Sequence, residues 1–390
     1  VDANAIDLGA TTITGNLSVT AAGAISDSGA LLIGGTTTVA PGAGNSTTLD
    51  VATNNFVGAV SATNGANLTL VDANGLDLGP VTITGDLAAT ATLGNITNTG
   101  GALGIGGNST FTANAAGASI TVNNAGNAFT GTVAFAGAGG LANVTVVDTT
   151  AFDLQALTLT GNLSVTAAGA ISDSGALLIG GTTTVAPGAG NSTTLDVATN
   201  NFVGAVSATN GANLTLVDAN AIDLGATTIT GNLSVTAAGA ISDSGALLIG
   251  GTTTVAPGAG NSTTLDVATN NFVGAVSATN GANLTLVDAN AIDLGATTIT
   301  GNLSVTAAGA ISDSGALLIG GTTTVAPGAG NSTTLDVATN NFVGAVSATN
   351  GANLTLVDAN AIDLGATTIT GNLSVTAAGA ISDSGALLIG

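Results

Sequence analysis

Apolar residues alternate with small or polar ones in short runs all along the chain, and a corner of Gly, Asn, Asp or Ser follows each run. Around Val217 the runs Asn213-Leu-Thr-Leu216, Asn232-Leu-Ser-Val235 and Thr252-Thr-Thr-Val255 share one pattern. A second set follows them (Ile222-Asp-Leu224, Ile241-Ser-Asp243, Leu265-Asp-Val267), and then a third (Thr228-Ile-Thr230, Leu247-Leu-Ile249, Phe272 to Ala278). Period-2 alternation of this kind is the mark of strands buried on one face, and nowhere does a 3.6-residue period with helix caps appear.

The runs belong to a longer repeat. The phrase VDANAIDLG begins at Val1, Val217, Val287 and Val357, with variants at Val71 and Val147. It divides the chain, read as a single β-solenoid over 1–390, into units 1–70, 71–146, 147–216, 217–286, 287–356 and the partial 357–390. The steps from Leu216 to Val235, Val255 and Leu286 predict three unequal coils per 70-residue repeat, each of about 20 residues with three short strands. The fold expected is all-β, a right-handed parallel β-helix, since right-handed crossovers are the rule for parallel strands and a hexapeptide left-handed helix does not fit the steps. About 16 coils at ~4.8 Å would give a rod on the order of 80 Å.

The inward positions in this frame are Leu214, Leu216, Ile222, Leu224, Ile229, Leu233, Val235, Ile241, Leu247, Ile249, Val255, Leu265, Val267, Phe272 and Val276. No coil buries them alone, so neighbouring coils stabilise one another. The divergent unit 71–146 places its extra residues in Gly- and Asn-rich corners, including Gly137 to Gly140, and keeps its inward positions apolar, with Phe111 for Val39 and Phe135 for Ala62. Asn213 and Asn232 occupy matching corners and are expected to form an amide ladder that satisfies turn backbone groups. Each also opens an Asn-Leu-Ser/Thr sequon, a glycan acceptor in a host with that machinery.

Composition narrows the chemistry. The chain holds 22 acidic residues, all Asp, with no Lys, Arg or His, and its formal charge is −22. Salt bridges between side chains are excluded, and nucleic acid and anionic membranes are unfavourable partners because both are bound through Lys and Arg. No apolar run approaches the length that spans a bilayer, so no membrane insertion is expected. Without Cys, His, Glu, Lys or Tyr no nucleophile has a base to activate it, so the chain is read as not an enzyme and as holding no cofactor. Trypsin has no site, which makes resistance to a broad-specificity protease the informative test of a packed fold.

The acidic residues leave one candidate for ligand chemistry. Asp266 with Asp293, and Asp223 with Asp243, are expected on outward positions of adjacent coils about 4.8 Å apart, where paired carboxylates could take Ca²⁺. The alternative is that they are hydrated charges that keep the molecule soluble. Thr-rich runs such as Thr252-Thr253-Thr254 do not recur on every coil and are read as strand-forming residues, not an ice-binding ladder.

The phrases GNLSVTAAGAISDSG and NNFVGAVSATNGANLTLVDAN resemble the repeats of filamentous-haemagglutinin-like bacterial surface proteins, which also occur in autotransporter passenger regions. That resemblance implies secretion across an outer membrane, an extracellular location at the cell surface, and an adhesive or structural role. The chain lacks an initial Met and stops in mid-pattern, and is read as a window on a longer polypeptide. It is expected to be a stalk or shaft segment of a large secreted adhesin, with a receptor bound outside this window. The alternative is a self-assembling extracellular fibre or matrix subunit, in which like segments meet end to end or side by side.

Overall fold

A computed structural model describes residues 1–390, which form short β-strands joined by turns, without a helix. The chain divides into two compact units, Val1–Asn191 and Ser192–Gly390. Every strand pairing within each is parallel, and the coil-to-coil spacing is about 20 residues, as the sequence pattern requires.

Two long ladders face each other across the core of Ser192–Gly390. The first runs Leu214–Asp218, Leu233–Ala237, Thr253–Ala256, Val276–Gly281, Ile292–Ile299, Ile311–Asp313, Thr333–Leu335 and Leu354–Asp358. The second runs Ile222–Ile229, Ile241–Asp243, Thr263–Leu265, Leu284–Asp288, Leu303–Ala307, Thr323–Ala326 and Val346–Gly351. A short third ladder covers one edge through Thr227, Leu247–Ile249 and Asn271–Phe272. Seventy residues later its equivalent, through Thr297, Leu317–Ile319 and Asn341–Phe342, covers the opposite edge.

That exchange corrects the expected three coils per repeat. Seven steps carry the first ladder from Leu214 to Leu354, its equivalent two repeats on, so one repeat makes three and a half coils. The 31-residue step read between Val255 and Leu286 spans a full coil and a half, because Val276–Gly281 supplies an intervening strand in the first ladder. An odd number of face strands per repeat sends the phrase Leu-Thr-Leu-Val-Asp to alternate faces: Leu214–Asp218 lies in the first ladder and Leu284–Asp288 in the second. Each repeat is therefore turned by half a revolution from the one before.

Val1–Asn191 is built the same way. Leu68–Asp72 pairs with Leu87–Ala91, then come Ser109–Ala113 and Val133–Ala136, while its equivalent Leu141–Asp148 sits in the opposing ladder against Ala118–Val122. The six extra residues of the divergent unit lengthen coils without adding one, giving the 24-residue steps from Ile96 to Ile120 and from Ile120 to Val144. Phe111 packs edge-on to Phe129 at 6.0 Å and stacks with Phe135 at 5.8 Å, filling the wider section.

All the expected inward residues of the 217–286 region are buried except Val267, which is half-buried beyond the end of its strand. Each buried Leu or Ile contributes roughly 1.5–3 kcal/mol by leaving water. Corners are tight: a Cβ at Gly258 would overlap the Ala238 carbonyl oxygen of the coil before it. Asn280 is a bulged residue between Thr279 and Gly281 and holds φ at 68°, as do its equivalents Asn64, Asn210 and Asn350 at 67°. Only Gly, Asn and Asp enter this region cheaply. Asn280→Gly is expected to leave the thermal midpoint unchanged or slightly higher, and Asn280→Val to lower stability by about 1–3 kcal/mol. Equal midpoints for the two variants would contradict a strained backbone here.

Candidate functional site

The polar groups concentrate at the corners. Asn213 Oδ1 accepts the Asn232 backbone N–H at 2.8 Å, and Asn232 Oδ1 accepts that of Thr252 at 2.9 Å. Asn283, Asn302 and Thr322 repeat the arrangement. The amide ladder expected from sequence is present, and it runs side chain to backbone, which satisfies corner donors that strand pairing leaves over.

A second corner is closed around a buried amide. Asn270, fully buried, accepts the Leu247 backbone N–H at 2.8 Å and donates to Asp243 Oδ2 at 2.6 Å. Asp243 Oδ1 also accepts the Asp266 backbone N–H at 2.9 Å. The set Asp313, Asn340 and Leu317 repeats this, as does Asp27, Asn54 and Leu31. In the divergent unit Asn98 stands in the Asp place, and its Oδ1 accepts from Asn127 Nδ2 at 3.1 Å. The cluster works with a neutral amide, so its role is to close the corner.

Asp288, 2% exposed, accepts the Phe272 N–H at 2.8 Å and the Asn290 N–H at 2.6 Å. Asp218 does the same for Phe202 and Asn220. Sequence reasoning missed Asn270, and it missed these residues by treating every Asp as a solvated charge, although alternation through Leu284 and Leu286 carries Asp288 to the inward side of its strand. The Asp-x-Asn spacing of an Asx turn was a second available signal.

The four carboxylates expected to pair do not converge. Asp293 lies in the first ladder opposite Ser312, whereas Asp266 follows a strand of the second, so the two are on different faces. Asp223 faces Ser242, not Asp243, and accepts the Ser244 hydroxyl at 2.6 Å. Asp243 is committed to Asn270 and the Asp266 backbone. The Asp266–Asp293 pairing fails because it assumed three coils per repeat, and the half-turn puts the two on different ladders. Asp223 and Asp243 lie on adjacent strands of one ladder but are offset by one residue, so alternation turns them to opposite sides. No group of three or more Asp side chains gathers in metal-binding geometry anywhere in the chain.

Burial raises the carboxyl pKa of Asp72, Asp148, Asp218 and Asp288, against the lowering effect of the backbone N–H groups they accept. Burial likewise raises Asp243 and Asp313, opposed chiefly by Asn270 and Asn340. No cationic side chain offsets this. A carboxyl with a raised folded-state pKa contributes stability that is fully present below the unfolded value of about 3.9 and is lost as pH rises through the folded value. The thermal midpoint is therefore expected to be higher at about pH 3 than at about pH 7. Melting at a lower temperature in acid would overturn this.

A family model described as repeats of unknown function (DUF5649) matches residues 1–63, 65–136, 141–209, 211–279, 281–349 and 351–390. At four of the five junctions between these matches the single residue left over is a left-handed Asn: Asn64, Asn210, Asn280 and Asn350. Comparison with curated proteins finds no match, and neither does comparison with solved structures.

Proposed function

We propose, for a chain that belongs to this DUF5649 family of repeats, a structural role: it is a shaft segment of a large secreted bacterial surface protein, setting the distance at which another part of that protein acts. The observation that carries the reading is the corner chemistry. Asn232, Asn270 and Asp288 are each spent on backbone N–H groups, and where the sequence diverges the coils lengthen at corners while the stack continues. Binding proteins keep converging polar groups free for a ligand; here the buried ones serve the stacking itself. The cell-surface setting and the adhesin context rest on the resemblance of the repeat phrases to filamentous-haemagglutinin-like proteins.

Near-identical repeats suit a spacer whose length is set by repeat number. Electron microscopy of the full protein with repeats added should show a shaft that lengthens by about 34 Å for every two repeats, seven coils at the inter-strand spacing. A length independent of repeat number would sink the shaft reading. A filament many chains long would instead favour a self-assembling fibre.

A further inference from the structure

The half-turn between repeats has a consequence for the two edges of Ser192–Gly390. One edge carries an open groove of about 500 Å³ lined by Thr236, Pro257, Ala259, Asn280 and Thr298, which span four successive coils. On the same edge the next two coils expose Leu318 and Val343, 40% and 69% accessible. Register ties the two together, since Thr298 pairs with Leu318 and Leu318 with Asn341. The opposite edge carries the same features displaced by one repeat: Leu248 and Val273, 40% and 68% exposed, and a groove of about 500 Å³ lined by Thr306, Pro327, Ala329, Asn350 and Thr368.

Coil counting sets their heights along the stack. Leu248 and Val273 lie on one edge within half a coil, about 2.4 Å, of the coils of Thr236 and Ala259 on the other. Leu318 and Val343 stand in the same relation to the coils of Thr306 and Ala329. A second copy laid alongside, with unlike edges in contact and no axial shift, thus brings each Leu/Val pair over a groove, twice within 140 residues. Reversing the neighbour and joining like edges gives the same seating.

We infer that this side-by-side contact is an interface between copies of the chain, the Leu/Val pair of one filling the Thr/Pro groove of the next. The inference rests on the structural role proposed above and names the partner of that shaft. Neither groove is lined by a charged side chain, so seating a neighbour there opposes no two carboxylates at the contact. Both edges of every copy are used, so the contact does not close on itself and extends into sheets of parallel or alternating shafts. The overall charge of −22 opposes approach, so association strengthens with added salt, which screens exposed charges.

Absence of native cysteine gives a direct test. Chains carrying Val273→Cys are mixed with chains carrying Ala259→Cys or Ala329→Cys and oxidised at increasing salt. Thr254→Cys, exposed on a flat face, is the reference. The expected result is several-fold more covalent heterodimer with Ala259→Cys if neighbours are parallel, or with Ala329→Cys if they alternate, than with the reference. Yields equal to the reference for both would overturn the interface. Electron microscopy of the same samples separates the two ideas. Isolated shafts of the expected length defeat the lateral contact alone, and the absence of any shaft defeats both.

Discussion

Replacing Thr253 or Thr263 by Val should make the protein more stable. Thr253 is completely buried in the first ladder, stacked between Leu233 and Val276, and Thr263 is buried in the second between Ile241 and Leu284. Neither hydroxyl has a hydrogen-bond partner, and the same holds at Thr37, Thr47, Thr183, Thr193, Thr323 and Thr333. Val has nearly the shape of Thr, so substitution leaves the packing in place and removes a group that lost its water on folding without gaining a bond. Each change is expected to add about 1–2 kcal/mol. In a stack where each coil contacts only its neighbours, substitutions in separate repeats add nearly independently. Urea unfolding of the single and eight-fold variants checks this through the midpoint at constant slope. A lower midpoint for Thr253→Val would show that the hydroxyl is satisfied, for instance by buried water.

The opposite effect is expected at Asn270. Removal of its side chain by Asn270→Ala leaves the buried Leu247 N–H without an acceptor and takes from the half-buried Asp243 a donor at 2.6 Å. An unsatisfied backbone donor costs about 1–3 kcal/mol and a deprived carboxylate more, so a loss of roughly 3 kcal/mol or greater is expected. Asn270→Asp should be at least as damaging at neutral pH, since it sets two carboxylates together. Asp243→Asn should be tolerated, because Asn98 already fills that place in the divergent unit. Local opening should appear as faster amide exchange at Leu247 and as new cleavage near this coil by a broad-specificity protease. Unchanged exchange at Leu247 in Asn270→Ala would contradict the assigned role.

These two sites show opposite uses of a buried polar residue. Thr253 was inward by alternation and could be placed from the sequence. Asn270 could not, since it sits outside a strand where no period assigns a side to it. Its partner Asp243 is read as an outward charge although it ends the strand Ile241–Asp243 on the side of Ile241, and that reading contributes to a carboxylate pairing the fold does not contain. Placement of a residue just outside a strand, such as Asn270, depends on how the corner is closed, which is decided by the coil next to it.

Local pattern determined a good deal by itself: all-β structure, coils of about 20 residues, the apolar columns, the amide ladder at Asn213 and Asn232, and the tolerance of corners for insertion. Each follows from side-chain alternation and turn chemistry that recur at the same positions from one coil to the next. Only the tertiary structure decided the half-turn. Three coils and three and a half both fit a 70-residue repeat until Val276–Gly281 is seen to pair with Thr253–Ala256 and with Ile292–Ile299. Parallel pairing is a relation between coils, and it alone fixes which ladder a strand joins. From that one count follow the separation of Asp266 from Asp293 and the matching of groove to Leu/Val pair on opposite edges.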